Sequence, residues 1–211
     1  MEPDNSKGKT NAYHHGNLRQ SLIDSAIAIL ERDGVAGLSL RAVAKGSGVS
    51  QAAPYSHFSN KQSLLAEVAR AGYVRFCERM AEELERDENK LVGLGKGYVF
   101  FAMENPALFH LMFSGELAQL VNVDEIDDAF LRGYQMLVDV IAQNPLARYG
   151  ADLPHLDIAF AWSVVHGIAT LILGRQISAR RHNLNSDVES VEKMLEKYFS
   201  TTGKRYEANH C

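Results

Sequence analysis

The segment that decides the fold is GVSQAAPYSHF, which runs from Gly48 to Phe58. A glycine turn followed by a short polar segment is typical of a helix-turn-helix, whose second helix enters the major groove of DNA. Pro54 lies inside that expected second helix. A proline in a helix interior costs about 3 kcal/mol, because it removes a backbone donor and clashes with the preceding turn. The segment therefore raises the question of whether Pro54 excludes the second helix or fixes where it begins.

Pro54 is compatible with the first turn of a helix, because the backbone N–H groups there have no partner inside the helix. If Ser50 or Gln51 caps the helix, Pro54 falls at its third or fourth position, and its ring can fill the apolar slot beneath the turn. The proline also disfavours a helical backbone at Ala53. We therefore expect a short third helix after Ser50, with an irregular first turn.

The residues before this segment have the spacing of the other half of the motif. Val43 and Ala44 are expected to face inward, and the small Ala44 lets two helices approach. Gly48 provides a turn in which a positive φ is expected, and Val49 is the apolar residue expected to be buried after it. An ordinary helical hairpin would show the same spacing, so spacing alone leaves both interpretations open.

The rest of the chain has helical rather than strand periodicity. Ser39 provides an N-cap for the second helix, and Ser59 and Gln62 have the spacing of a capping box for a long fourth helix. The predicted helices span about 18–32, 40–45, a short segment after 50, 60–86, 90–104, a short segment after 106, 123–143, 154–179 and 186–199.

These elements predict an all-α fold of about nine helices. A flexible arm (1–12) precedes a three-helix domain that contains the helix-turn-helix pattern (13–62), and a larger helical domain (63–211) follows. Because the helix at 60–86 follows without a linker, we expect the two domains to be rigidly joined. Residues 1–70 carry a net charge of +2 and residues 71–211 carry −6, which suits a small polyanion-binding domain on an acidic body.

The bulk composition favours a cytoplasmic protein. The hydrophobic fraction of 46% and the charged fraction of 23% are ordinary for a globular chain. Cys77 and Cys211 lie far apart and form neither a disulfide framework nor a zinc-ligand spacing. The apolar stretch at 158–173 is interrupted by polar residues, and we expect it to be too short and too polar to span a membrane.

The segment 15–65 resembles the N-terminal domain of TetR-family transcriptional repressors. The matching pieces are Ser-Leu-Arg-Ala-Val-Ala (39–44), Gly-Val-Ser (48–50), Tyr-x-x-Phe (55–58) and Ser-x-Lys (59–61). Ala53-Pro54 stands where the family often has Thr-Leu, which affects base contacts rather than the fold. Further along, Trp162, His166 and Gly167 resemble the Trp-His-Gly signature of one C-terminal subgroup, and 105–113 resembles the stretch that accompanies it.

The resemblance implies a ligand-responsive transcriptional regulator, and most simply a repressor. Such proteins bind a palindromic double-stranded DNA operator as two-fold homodimers and are released by a small apolar or amphipathic effector. Their last two helices form the dimer interface. In this chain the small residues of the eighth predicted helix and the apolar residues of the ninth predict that four-helix seam: Ala159, Ala161, Gly167, Ala169, Gly174, Val191, Leu195, Tyr198 and Phe199.

The predicted DNA-binding residues cluster around the third helix. Side chains near base edges are expected to include a glutamine, which can read adenine, and alanine methyls, which can pack on thymine. Polar side chains beside them, and one lysine in the first turn of the next helix, are expected to contact phosphate. The predicted base contacts are Gln51, Ala52, Ala53 and Ser56, and the phosphate contacts are Tyr55, His57 and Lys61. Ser39, Arg41, Ser50, Lys7 and Lys9 complete the DNA-binding set.

The predicted effector pocket draws on aromatic and methionine side chains of three helices. The residues are Phe100, Phe101, Met103, Phe109, Met112, Phe113, Trp162, Val165 and His166. Trp162 and His166 are four residues apart, so they share one helix face. Stripes of this kind also describe a plain hydrophobic core, and His166 also fits a hydrogen-bonded core histidine, so both interpretations stay open.

The glycine-rich run GLGKG at 93–97 lacks the spacing and the final hydroxyl of a phosphate-binding loop. Three glycines inside a helix cost about 1 kcal/mol each relative to alanine. They therefore predict a close approach by another helix or room for a ligand, and we expect the segment to flex. The acidic run at 124–128 fits the dipole of a helix N-terminus better than a metal site.

Two other classes of protein remain open at this point. A metal-dependent helical enzyme could use the acidic run and histidines, although no Glu-x-x-His pair supports it. An all-helical carrier of lipid or haem could retain a vestigial DNA-binding domain. We expect no catalytic activity, no cofactor and no physiological metal site.

Overall fold

In a computed structural model, residues 15–113, 115, 117, 127–143, 154–178 and 186–207 are described. All regular secondary structure in these ranges is helical, which confirms the predicted all-α class. Eight α-helices and one 3₁₀ turn correspond to the predicted elements of this part of the chain. They are α1 (His15–Gly37), α2 (Leu40–Gly46), the 3₁₀ turn (Ala53–Ser56), α3 (Lys61–Arg86), α4 (Lys90–Glu104), α5 (Pro106–Phe113), α6 (Asp127–Gln143), α7 (Pro154–Leu173) and α8 (Asp187–Glu207).

The chain divides into two compact units, Met1–Leu64 and Leu65–Cys211. The division falls inside α3, four residues after its first turn begins. The predicted arm at 1–12, including Lys7 and Lys9, lies outside the described residues, as does most of the acidic run.

The N-terminal unit is held together by apolar residues of α1 and α2. Leu22, Ile23, Ala26, Ile29 and Leu30 recur at helical spacing on α1, and all are buried. Their spacing places them on one face, which is the pattern of a helix that packs against a core.

The core of this unit also receives residues from α2 and from the segment after the 3₁₀ turn. Val43 and Ala44 are fully buried, as predicted, and Phe58 is only 1% exposed. Burial of a phenylalanine side chain of this kind stabilises a fold by about 1.5–3 kcal/mol. Phe58 therefore anchors the end of the 3₁₀ segment to the core.

Local chemistry fixes both ends of α2. The Ser39 hydroxyl accepts a hydrogen bond from the Ala42 N–H at 3.1 Å, which confirms the predicted N-cap. Gly48 has φ +67°, in the left-handed region that glycine enters without steric cost, which confirms the predicted turn. Val49 was expected to be buried, but it is only half-buried.

The start of α3 differs from the prediction by one residue. The Asn60 side-chain oxygen accepts from the Ser63 N–H at 2.8 Å, and the Asn60 N–H donates to the Ser63 hydroxyl at 3.2 Å. This reciprocal pair is the geometry of a capping box. The predicted Ser59–Gln62 box is therefore wrong, because the helix begins at Lys61 and Asn60 is its cap.

Helix α4 is the central element of the C-terminal unit. It is buried along Leu91–Gly95 and Gly97–Ala102, and it packs against α5, α6, α7 and α8. A helix that is apolar on all sides is expected to be enclosed by its neighbours in this way. The residues that α4 carries are therefore the natural walls of any interior site in this unit.

The glycines of α4 allow that helix to lie directly against the backbone of α3. A Cβ atom added at Gly97 would lie 2.5 Å from the Cα of Met80, and one added at Gly93 would lie 2.6 Å from the carbonyl oxygen of Glu83. The predicted close approach is confirmed. The expectation of a flexible segment is wrong, because backbone is packed against backbone at both positions.

Lys96, between these glycines, is engaged by acidic side chains. Its ammonium lies 2.9 Å from the Asp87 carboxylate and 3.8 Å from each of the Glu192 and Glu196 carboxylates. The side chain is only 12% exposed. Lys96 thus ties α4 to α8 electrostatically.

Helix α7 is shorter and more apolar than expected. It ends at Leu173 rather than near residue 179, because Arg175 adopts φ 56° and the Gln176 N–H donates back to the Leu171 carbonyl at 2.8 Å. This 6→1 bond and a left-handed residue form a Schellman-type helix end.

Within the 19 residues of His155–Leu173, a stretch of 18 residues has a mean hydropathy of 1.8, and 33% of that stretch is buried. By length and composition this helix could cross a membrane, so the expectation that the stretch is too short and too polar is wrong. The core helix of a soluble protein passes the same test, and Ala161, Val165 and Ala169 are buried within the unit.

Helix α8 begins after Ser186, whose hydroxyl accepts from the Glu189 N–H at 3.1 Å, and it extends past the predicted end at 199. Val191 and Leu195 are fully buried, and Phe199 is 6% exposed. These three side chains face the core of their own unit, which corrects their placement in a dimer seam. The side chain of Tyr198 lies outside the described set.

Candidate functional site

The segment after Gly48 forms one 3₁₀ turn, Ala53–Ser56, rather than the predicted short α-helix. The Tyr55 N–H donates to the Ala52 carbonyl at 3.1 Å, and the Phe58 N–H donates to the Pro54 carbonyl at 2.9 Å. Ala52 stands at the N-cap position and makes no side-chain hydrogen bond. The expected cap at Ser50 or Gln51 is therefore wrong.

Pro54 explains this geometry. It has no N–H to donate four residues back, and its ring would clash with the carbonyl there, so a regular α-helix cannot run through it. At the second position of a 3₁₀ turn both problems vanish, and the ring is buried beneath the turn as expected. Ala53 belongs to the turn, which corrects the expectation that its backbone would be non-helical.

The turn presents a small exposed surface. Tyr55 is 55% exposed, while Ala53 and His57 are half-buried. The Ser56 hydroxyl donates to the Ala53 carbonyl at 2.7 Å, and it retains its acceptor capacity. The other exposed members of the predicted DNA-binding set are Ser39, Arg41, Ser50, Gln51 and Ala52.

Two cationic side chains of this unit have defined positions. The Lys61 ammonium donates to the Val35 carbonyl at 2.7 Å, which holds it near the end of α1 and leaves its other donors available. The Arg19 guanidinium lies 5.7 Å from the centre of the Phe58 ring. The first turn of α3 thus carries a fixed positive charge four residues after a half-buried histidine.

The C-terminal unit contains a cavity with about 570 Å³ of empty space, part of it open to solvent. Three of the predicted pocket residues line it: Phe113, Trp162 and Val165. The other lining residues are Tyr73, Phe76, Met80, Leu91, Leu94, Gly95, Tyr98, Phe130, Gly133, Tyr134, Leu137, Ala161 and Phe199.

The remaining predicted pocket residues do not line the cavity. Phe109 and Phe113 stack with their centres 4.7 Å apart, so Phe109 lies behind the wall. Phe100 packs under the Arg79 guanidinium at 5.4 Å. Phe101 and Met112 are buried core residues, and Met103 is half-buried.

His166 also lies behind the wall, where it supports Tyr98, which is not among the predicted pocket residues. The Tyr98 hydroxyl lies 2.8 Å from Nδ1 of His166, and the Trp162 Nε1–H donates to the same hydroxyl oxygen at 3.3 Å. Tyr98 and Trp162 both line the cavity. Trp162 and His166 are predicted to share one helix face, and the hydroxyl of Tyr98 on α4 thus connects them.

Burial sets the protonation of these groups. It raises the pKa of the Tyr98 hydroxyl well above its ordinary value and lowers the pKa of His166. The Tyr73 hydroxyl donates to the Met112 carbonyl at 2.8 Å, and burial raises its pKa to about 12. At neutral pH the cavity therefore has neutral tyrosines and a neutral histidine behind it.

A signal for Tyr98 was present in the sequence. It follows three glycines and lies three residues before Phe101 and four after Leu94, so it shares their helix face. Glycines that admit a neighbouring helix mark α4 as the enclosed element, and a polar tip on an enclosed aromatic needs a partner.

A capped helix, a glycine turn and an exposed second element, together with a second helical unit that holds a cavity, define a helix-turn-helix transcriptional regulator. The model of bacterial regulatory proteins of the tetR family matches residues 22–68, and the tetracyclin repressor-like C-terminal domain matches residues 91–198. The chain belongs to the TetR family.

Relatives agree with this assignment. The HTH-type transcriptional repressor AcnR of Corynebacterium glutamicum is 24% identical over 190 residues, which cover 90% of this chain and 94% of AcnR. The uncharacterized HTH-type transcriptional regulator YobS of Bacillus subtilis is 30% identical over 96 residues, so the match spans 44% of this chain and half of YobS (50%). A protein of unknown function from Rhodococcus sp. RHA1 superposes with a TM-score of 0.72 at 29% identity, covering 90% of this chain and 98% of that one.

Proposed function

We propose that this regulator represses transcription by binding a palindromic operator as a homodimer, and that a small apolar or amphipathic effector bound in the C-terminal unit releases it. One observation carries the DNA-binding part: the 3₁₀ turn exposes its polar side chains while Pro54 and Phe58 anchor it from beneath. A turn fixed in this way can enter a major groove without ordering itself first.

The contacts to bases are proposed for Gln51, Ala52, Ala53 and Ser56. Gln51 can read an adenine through two hydrogen bonds, and exposed alanine methyls can pack on thymine methyls. Ala53 is half-buried, so Gln51 and Ala52 are the better placed members of this group.

The contacts to phosphate are proposed for Tyr55, His57 and Lys61, with Ser39, Arg41 and Ser50 around them. The Lys61 ammonium lies in the first turn of α3, where backbone donors also favour an anion. Its bond to Val35 fixes its position, and a fixed cation loses less conformational entropy when it meets a phosphate.

The dimer seam is proposed on the outer face of α7. Leu156 and Leu171 on this face are 38% and 39% exposed, and a Cβ at Gly167 would meet no atom within 4 Å. From α8 the exposed Val188, at 44%, can join the seam. Two copies joined there must place their 3₁₀ turns about 34–36 Å apart, which is one turn of DNA.

The domain roles follow from this arrangement: residues 13–62 bind DNA, and residues 63–211 bind the effector and the second copy. We also assign the C-terminal unit to the Trp-His-Gly subgroup, since Trp162 and His166 of that signature both meet Tyr98. The proposed role is regulatory and cytoplasmic, and it requires no catalysis, membrane, metal or cofactor.

The test begins with selection of bound fragments from the source genome, followed by affinity measurements on the selected DNA. Lys61→Ala is expected to weaken binding evenly across operator variants and to lower the salt slope by about 2, because one phosphate contact is lost in each of the two copies. Lys193→Ala is the matched control, since it removes the same charge from an exposed position on α8.

Two results would count against the proposal. Loss of affinity at a single base pair in Lys61→Ala would contradict the phosphate role. Failure to select any fragment, or binding of one chain per fragment, would contradict the dimeric repressor and favour a helical carrier instead.

A further inference from the structure

Among the residues that the structure describes, none that lines the cavity carries an ionic group. Eight of the lining residues are aromatic, and none of them carries a charge at neutral pH. An anionic guest would lose its hydration without finding an ion of opposite sign, and a cationic guest would gain only contact with the faces of the aromatic rings. The cavity therefore selects an uncharged guest, and its aromatic rings favour another ring, which can meet them edge-to-face or in offset stacks.

The hydrogen-bond donors on this wall are largely engaged by the protein itself. The Trp162 Nε1–H is directed at the Tyr98 oxygen at 3.3 Å, and the Tyr73 hydroxyl is directed at the Met112 carbonyl at 2.8 Å. A guest acceptor could gain either of these two donors only by breaking the bond that the donor already makes.

With respect to the described residues, the Tyr98 oxygen keeps one unused acceptor position. Within the described part of the chain, the acceptor found at bond distance from the Tyr98 hydroxyl is Nδ1 of His166, at 2.8 Å. A buried hydroxyl hydrogen without an acceptor is costly, so Tyr98 donates to His166 and the histidine carries its proton on Nε2. The oxygen then accepts once from Trp162 and has a second lone pair left.

Building on the proposed effector role of this cavity, we propose that the guest is an uncharged aromatic molecule with one O–H or N–H group that donates to the Tyr98 oxygen. Trp162 and His166 act as positioning residues, because they fix the direction of the Tyr98 hydrogen and leave its oxygen open to the guest.

The experiment compares three probes that share one ring system, by calorimetry on the full chain without DNA. The probes are 2-naphthol, its methyl ether 2-methoxynaphthalene, and the anion 2-naphthoate. We expect 2-naphthol to bind about tenfold more tightly than the ether, the value of one buried hydrogen bond. 2-Naphthoate is expected to give no measurable binding at the same concentration.

A pair of tyrosine variants locates the acceptor. Tyr98→Phe removes the hydroxyl and should abolish the preference for 2-naphthol over its ether, so that the two probes bind about equally tightly. The affinity for the ether should change little. Tyr134→Phe removes a hydroxyl from another lining tyrosine, which is 37% exposed, and should keep the tenfold preference. Circular dichroism checks the fold of each variant, and the probe comparison on the unaltered chain decides the question if Tyr98→Phe does not fold.

Several outcomes would overturn the inference. An ether that binds as well as 2-naphthol would mean that the Tyr98 hydrogen, and not its lone pair, faces the cavity. A preference that is lost in Tyr134→Phe but kept in Tyr98→Phe would move the acceptor to Tyr134. Tight binding of 2-naphthoate, or of a naphthyl trimethylammonium cation, would refute an uncharged guest.

The binding assay separates this inference from the repressor role. If 2-naphthol binds with the expected preference but does not release operator DNA, the guest class stands and the proposed release mechanism fails. If the chain binds operator DNA but none of the probes, the guest class fails and the DNA-binding role stands.

Discussion

Substitution of Gly97 by alanine is the sharpest test of the packing between α3 and α4. The added methyl group would lie 2.5 Å from the Cα of Met80 and 2.9 Å from the carbonyl oxygen of Arg79. Both atoms belong to the backbone, so no side chain can rotate away and the two helices must move apart.

The expected magnitude combines two opposing effects. Alanine favours a helix over glycine by about 1 kcal/mol. Overpacking of a well-packed core costs about 1–3 kcal/mol, and a clash with backbone belongs at the upper end of that range. We therefore expect Gly97→Ala to lower the free energy of unfolding by about 2 kcal/mol.

Gly133→Ala is the matched control, because it makes the same change inside another helix of the same unit. A Cβ there would lie 3.4–3.5 Å from side-chain atoms of Phe76, Cys77 and Met80, which is ordinary contact. This variant should gain about 0.5–1 kcal/mol from helix propensity. Urea unfolding at one fixed protein concentration measures both variants, since association also contributes to apparent stability. Equal stability of the two variants would refute the packing argument.

Two further predictions concern stability. His166 has a lowered pKa in the folded protein, so the unfolded chain binds a proton at this site near the ordinary value of 6.5 and the folded chain does not. The contribution of neutral His166 to the free energy of unfolding is therefore complete above about pH 6.5, and it is lost as pH falls toward the lowered pKa. Thermal unfolding of His166→Gln should show a weaker loss of stability between pH 7 and 5 than the unaltered chain, and parallel curves would contradict this. Arg175→Gly should raise the free energy of unfolding by about 1 kcal/mol, because Arg175 holds a φ of 56° that glycine adopts without strain. An unchanged or lower midpoint in urea would contradict that expectation.

The sequence predicted the helices well wherever local chemistry determines them. Ser39 and Ser186 cap their helices as side chains of their type do, and α4 has the predicted bounds, 90–104. Where two caps compete within a few residues, pattern alone could not choose between them. Asn60 with Ser63 and Ser59 with Gln62 offer similar chemistry, and the reciprocal hydrogen bonds form between Asn60 and Ser63.

The limits of the prediction at Pro54 have a different cause. Proline restricts φ and removes a donor, which excludes a regular α-helix but does not specify what replaces it. The 3₁₀ turn satisfies both constraints because its bonds reach back three residues rather than four. The burial of Phe58 in the core of the N-terminal unit then fixes the depth of the turn relative to that core.

The cavity could be predicted only in part, because helical periodicity gives a face and not its neighbours. Phe109 and Phe113 are four residues apart and were equally plausible, yet Phe113 lines the cavity and Phe109 supports it. Tyr98 directly follows the glycine run at 93–97, which predicts a close helix contact, and Tyr98 itself is not among the predicted pocket residues. Which side chains enclose empty space depends on α3, α6 and α8 together, and that information is distributed over the whole unit.

The shortness of the segment proposed to contact bases, Gln51–Ser56, would restrict how much of a DNA sequence one copy can distinguish. Four residues in 3₁₀ geometry rise only about 8 Å. Base pairs are stacked about 3.4 Å apart, so the turn spans between two and three of them. A DNA sequence of only two or three base pairs recurs by chance throughout any genome. Recognition of one operator would then depend on the fixed distance between the two turns of a homodimer and on how readily the DNA between them deforms.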